Sequence, residues 1–159
     1  MTPQHDTALR DYFGLLWRYF RTRAGGDAED LVQQTLVEYL ESAGRAGPVR
    51  HPRAYVLRVA RSVLFRYYRA CGPFDPMTQS VADATVSPSS RLARHRREGR
   101  LQAAVEELPY ALHEVVDLYY GEGLRGAELA EALGVPEGTV RSRLRRARDQ
   151  LRTACATAG

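Results

Sequence analysis

The chain has 159 residues, 44% of them hydrophobic, a formal net charge of +4 and a pI near 9.3. That length suits one ordinary domain or two small ones, and no apolar run reaches the ~20 residues that a membrane-spanning helix requires. Cys71 and Cys155 form no C-x-x-C, and His5, His51, His95 and His113 are scattered, so neither a disulfide framework, a metal site nor a cofactor is expected.

The opening MTPQHDTALRDYF has no basic patch followed by an apolar block, which predicts a cytoplasmic protein. Residues 8–23, ALRDYFGLLWRYFRTR, carry apolar groups near helical spacing and stop at Gly25-Gly26. Asp27 opens DAEDLVQQTLVEYLES, whose early acids suit the positive end of a helix dipole. Leu31, Thr35 or Leu36, and Tyr39 or Leu40 mark its expected buried stripe. Asp30, Gln33, Gln34 and Glu41 stay outside, as a polar and partly acidic face.

AGRAGPVRHP, residues 43–52, holds two glycines and two prolines and predicts a loop before a helix at about Arg53 to Arg69. From Ser42 to Phe74 there are seven arginines and no acid, whereas a solvated helix face normally mixes signs. The wheel puts Val56, Val59, Ala60, Val63, Leu64 and Tyr67 on one side and Arg58, Arg61, Arg66 and Arg69 opposite. Tyr55, Phe65 and Tyr68 fall on or beside the basic side. Cations interleaved with aromatic rings are what unpaired nucleic acid needs, since phosphates meet arginine and bases stack on rings. The other reading stays open here: the aromatics complete a core, and the arginines follow a codon bias that left the chain without lysine.

Residues 71–90, CGPFDPMTQSVADATVSPSS, contain three prolines, two acids and no arginine, a composition expected of a mobile linker. RLARHRREGRLQAAVEELP then predicts a helix ending before Pro109, and ALHEVVDLYYGEGL another ending near Gly121 or Gly123.

GAELAEALGVPEGTVRSRLRRARDQL reads as helix, tight turn, helix, with Gly134 at the bend and Pro136 and Glu137 opening the second helix. Val140, Leu144, Ala147 and Leu151 share a narrow stripe, and Arg141, Arg145, Arg148 and Arg152 an adjacent one. A helix of this kind enters the major groove with its early residues at the base edges. Arg141, Ser142 and Arg145 are the expected base contacts, and Thr139, Arg146 and Arg148 the expected phosphate contacts.

These segments together resemble a bacterial RNA polymerase sigma factor of the extracytoplasmic-function (ECF) type, the compact group that keeps regions 2 and 4 of the sigma-70 family, over about Ala8 to Arg152. DAEDLVQQTLVEYL is similar to the region 2 helix that docks on the β′ clamp helices. HPRAYVLRVARSVLFRYYR is similar to the promoter-melting and −10 helix, and LGVPEGTVRSRLRRAR to the −35 reading helix. The resemblance implies an all-α protein of two small helical domains joined by a flexible linker: region 2 at 1–70, the linker at 71–90 and region 4 at 91–159. It implies Asp30, Gln33 and Gln34 as core-polymerase contacts, with Gln34 replacing a common Glu. It places Arg53, Tyr55, Arg58, Arg61, Ser62, Phe65 and Arg69 at −10 DNA, with Tyr55 where Trp is frequent, Ser62 where Asn is usual, and Arg66 where Asp is usual. The 43–52 loop would capture a flipped −10 base, and the acidic linker would thread toward the RNA exit path. The implied partners are core RNA polymerase (β′ clamp helices and β flap), promoter DNA and an anti-sigma factor, with no membrane insertion.

Two other functions compete. A stand-alone helix-turn-helix regulator explains the last fifty residues but leaves the acidic helix and the basic aromatic face without tasks. A sigma-like regulator unable to initiate is motivated by Ser62 and Arg66. No Ser or Tyr has the partners of a nucleophile, so no enzyme is expected.

Overall fold

Leu15, Leu16, Tyr19 and Phe20 recur at helical spacing, and all four are buried in the computed structural model, which describes residues 3–80 and 99–157. They line the inner face of α1 (Pro3–Ala24). A single 3₁₀ turn, Gly25–Asp27, with Gly25 at φ +56°, reverses the chain into α2 (Ala28–Ala46). Ala28, Leu31, Val32 and Thr35 of α2 are buried, and the Thr35 hydroxyl donates to Leu31 O at 2.7 Å, so its burial leaves no polar group unsatisfied. After the 43–52 segment, whose first residues continue α2, Pro52 opens α3 (Pro52–Ala70). The three helices pack on one another within the first of two compact units, which holds Met1–Cys71 together with Glu131–Gly134.

The inner face of α3 is Ala54, Val56, Leu57, Ala60, Val63, Leu64 and Tyr68. This corrects the wheel at four places: Leu57 and Tyr68 turn inward, while Val59 and Tyr67 are only half-buried. The cause lies at the end of α1. Arg23 is fully buried, its guanidinium 4.1 Å from the Tyr19 ring centre and its Nη1 donating to Tyr19 O at 2.7 Å. Tyr68 donates its hydroxyl to Arg23 O at 2.9 Å. Tyr67 reaches Asp27 Oδ2 at 2.6 Å instead, and that carboxylate, with burial second, pushes the Tyr67 hydroxyl up to about 12. Leu40, one of the two alternatives for the α2 stripe, is 51% exposed, and Tyr39 is the half-buried one.

The second unit contains α4 (Arg100–Glu107) and α5 (Tyr110–Val116), the latter running into one π-helical turn, Asp117–Gly121. The chain continues through α6 (Gly126–Leu133), of which the second unit holds the part up to Ala130, and α7 (Glu137–Ala156). Tyr110, Leu112, Val115, Leu118, Leu124 and Leu129 are buried, as are Val140, Leu144 and Ala147 of α7, with α7 packed on α4 and α5. Each fully buried leucine contributes ~1.5–3 kcal/mol, so this short apolar stripe is what holds α7 in place.

The start of the expected linker is tied into the second unit. Gly72–Ser80 belongs to the second unit and covers the start of α5, where the first backbone N–H groups have no partner within the helix. Gln79 O accepts from Tyr110 N, and Pro76 O from Ala111 N, both at 2.8 Å. An isolated antiparallel bridge pairs Ser80 with Pro109, and Phe74 sits edge-on to the Tyr110 ring at 5.6 Å. Asp75 holds the segment in a turn, accepting from Met77 N at 2.9 Å and from the Thr78 hydroxyl at 3.0 Å. Residues 81–90 of the expected linker, and 91–98 of the expected helix, lie outside the described residues. No described helix is long and apolar enough to cross a membrane.

Candidate polymerase-docking and nucleic-acid interfaces

The turn before α7 is closed by two backbone bonds, Val135 N to Ala130 O and Gly134 N to Glu131 O, both 3.1 Å. With Gly134 at φ +64°, this is a Schellman end, in which a left-handed residue satisfies the last carbonyls of a helix. Pro136 is extended and starts α7 by accepting from Thr139 N and Val140 N. Glu137 in the first turn complements the helix dipole.

Because Val140, Leu144 and Ala147 face inward, Arg141, Ser142, Arg145 and Arg146 project from the exposed side, with Thr139 half-buried at its edge. The Ser142 hydroxyl donates to Thr139 O at 2.9 Å. Arg148 is exposed yet anchored: its Nε donates to the Tyr120 hydroxyl oxygen at 2.9 Å. That bond raises its pKa above the ordinary arginine range. Arg125 lies over the Tyr119 ring at 3.7 Å, and a hollow of about 550 Å³ opens among Tyr119, Arg125, Glu137, Arg141 and Arg148. Arg143 is half-buried, with Nη2 4.0 Å from Met77 Sδ. One surface of α7 therefore presents Arg141, Arg145, Arg146 and Arg148 together, a concentration of positive charge.

On α3, Arg53, Arg58, Ser62 and Arg69 are exposed, and Tyr55, Arg61 and Phe65 half-buried. Here the expected contacts are engaged with one another. Arg61 lies 4.4 Å from the Phe65 ring centre, and the Ser62 hydroxyl donates back to Arg58 O at 3.3 Å. Tyr55 ends a row of rings, 5.9 Å from Tyr39, which is 5.4 Å from Tyr12. Burial, then hydrogen bonding with Tyr39, pushes the Tyr12 hydroxyl up to about 12, so it stays protonated. The Tyr68 ring, expected beside the basic face, is in the core.

Asp30, Gln33 and Gln34 all lie on the exposed side of α2. Gln34 Nε2 donates to Glu38 Oε1 at 3.1 Å, and the same oxygen takes a short charged hydrogen bond from Arg66 of α3. Arg66, with its partner Gln34, holds the Glu38 carboxyl below its ordinary range. Val37 and Leu40 are 55% and 51% exposed on the same side, an apolar addition that a search for polar residues passes over. Among the described residues, no group of three or more His, Cys, Asp or Glu is placed to hold a metal.

Sigma-70 region 2 matches residues 6–72, and Sigma-70 region 4 matches residues 98–151. The ECF RNA polymerase sigma factor SigL of Mycobacterium tuberculosis is 31% identical over 147 residues, 84% of this chain and 78% of that protein. The chain belongs to the ECF RNA polymerase sigma factors. The ECF sigma factor SigE of Mycolicibacterium smegmatis is 30% identical over 94% of this chain, which spans 61% of that relative's length. The sigma factor RpoE of Bartonella quintana, solved with the anti-sigma factor NepR, shares the fold. Its TM-score is 0.70 at 20% identity, with 98% of both chains covered.

Within this sigma factor, sequence reasoning missed Glu38, Arg125, Tyr119 and Tyr120. Arg125 and Tyr119 sit six positions apart across the π turn and its exit, a spacing that no helix template brings together. Glu38 and Arg66 are 28 apart, and only the α2–α3 packing pairs them.

Proposed function

We propose that this sigma factor binds core RNA polymerase and directs promoter-specific initiation, with Arg141, Ser142 and Arg145 reading the −35 duplex while Thr139, Arg146 and Arg148 hold its phosphates. The observation that carries it is the division of α7 into a buried apolar stripe and an exposed arginine face behind a Schellman turn. The α3 face, with Arg53, Tyr55, Arg58, Arg61, Ser62, Phe65 and Arg69, takes the opened −10 strand. The segment 43–52, helical up to Ala46 and a loop beyond it, captures a flipped base. Asp30, Gln33 and Gln34 dock on the β′ clamp helices, and region 4 meets the β flap.

Domain limits of 1–70 and 91–159 complete the reading, with Gly72–Ser80 held by the second unit and the rest of the tether passing toward the RNA exit path. The chain acts in the cytoplasm and carries no reaction chemistry. An anti-sigma factor is a further partner, by analogy with the RpoE complex. The departure at Arg66 does not argue for an initiation-defective regulator, since its charge is paired with Glu38. Run-off transcription with core polymerase over a pool of genomic promoters should give discrete products that depend on the chain. No product from any promoter would overturn initiation, and tight specific promoter binding by the chain alone would favour the stand-alone regulator.

A further inference from the structure

On the side of the first unit bounded by α1 and the start of α3, a notch of about 430 Å³ opens among Ala8, Asp11, Tyr12, Leu15, Arg18 and Arg53. Its chemistry is mixed in a particular way. Arg18 and Arg53 supply two guanidiniums on exposed side chains, Asp11 a carboxylate acceptor, Tyr12 an aromatic face and Leu15 an apolar floor. Asp11, Tyr12 and Arg53 all line this one hollow.

We propose that this notch takes a single unpaired nucleotide of the opened promoter strand, its base against Tyr12 with an amino-bearing edge toward Asp11, and its phosphate held by Arg18 and Arg53. The inference rests on the sigma reading above and assigns Asp11, Tyr12 and Arg18 of α1 to strand capture, beyond the α3 face. Three features argue for it. Tyr12 belongs to the same row of rings as Tyr39 and Tyr55, so the notch is continuous with the −10 helix. A carboxylate accepts from an exocyclic amine such as cytosine N4 and offers nothing to the thymine O4 acceptor. Aromatic stacking with a cation on the backbone is the common way to hold a single unpaired base.

The test uses holoenzyme on a fork template with duplex −35 DNA and a single-stranded −10 segment, taken from a promoter active in run-off transcription. Each base of that segment is changed to thymine in turn, and each phosphate to a neutral methylphosphonate. The wild type should lose about tenfold in affinity at one amino-bearing base and at a phosphate beside it, the scale of a single base contact. Asp11→Ala should abolish the base effect there, and Arg18→Ala the phosphate effect, each leaving other positions and core binding as in the wild type. Both side chains are exposed, so folded variants are expected. If both variants keep the wild-type sensitivity at every position, the notch assignment is overturned. If no promoter supports run-off at all, the initiation reading fails and the notch assignment falls with it, a result distinct from the first.

Discussion

In the proposed function, the two arginine-bearing helices solve opposite problems. On α7, Arg141, Arg145 and Arg146 stand clear on one exposed side, because the buried stripe of Val140, Leu144 and Ala147 fixes the helix without them. On α3, Arg61 is stacked on Phe65, Arg66 is paired with Glu38, and Tyr55 is propped by Tyr39. A duplex presents an ordered edge, so its reader gains from fixed, projecting donors. A melted strand has no shape of its own, and rings and cations already held in place spare part of the ordering cost of binding it.

The comparison breaks first at α7. Arg141→Ala or Arg145→Ala should each reduce −35-dependent binding by holoenzyme about tenfold, the ~1–3 kcal/mol of a bidentate base contact, with core-polymerase affinity unchanged. Loss of polymerase binding instead would show that α7 is not the duplex reader. Gly134→Ala comes next: a side chain at φ +64° costs ~1–2 kcal/mol. Urea denaturation followed by circular dichroism should register that loss together with weaker −35 binding.

Tyr120→Phe sharpens the contrast, since it removes the oxygen that anchors Arg148, a bond worth ~0.5–1.5 kcal/mol. We expect a two- to threefold loss of −35 affinity, on the scale of ~0.5 kcal/mol. A gain would mean that Tyr120 holds Arg148 away from DNA. Smallest is Glu38→Gln, an exposed pair worth at most ~1 kcal/mol after screening by solvent. Because Arg66 depresses the Glu38 pKa, the pair's contribution is fully present above the ordinary carboxylate pKa of ~4.3 and fades as pH falls through the lower folded value. The stability difference between wild type and Glu38→Gln should therefore narrow only in acid, and a constant difference down to pH ~2 would exclude the pair as its cause.

The legibility of the sequence follows the same division. On α7 the stripe of Val140, Leu144 and Ala147 and the adjacent arginines are legible, because one helix against one core obeys one period, while Leu151 at its end is only half-buried. On α3 the wheel assigned Tyr67 inward and Tyr68 outward, and the structure reverses them. Periodicity gives a rotation only to within a residue, and the arbiter is the carbonyl of Arg23, on another helix. Polar composition likewise suggested a free linker at 72–80, where Phe74 and the carbonyls of Pro76 and Gln79 complete the start of α5. Composition counts residues, while the unfilled donors of a helix end are a property of the fold. Asp30, Gln33 and Gln34 are expected outside and are exposed, but the notch beside Arg53 was invisible because Asp11 and Arg18 are separated from it by all of α2.

The Glu38–Arg66 pair also constrains how this chain can change over generations. With Asp usual at position 66 in the family it resembles, simple reversion there would set two carboxylates against each other across the α2–α3 boundary, and like charges in contact repel. Position 38 and position 66 should therefore drift together among the chain's near kin, an acid at one accompanied by a base or an amide at the other. A lineage that alters only one of them would be expected to acquire a second change on the facing helix soon after.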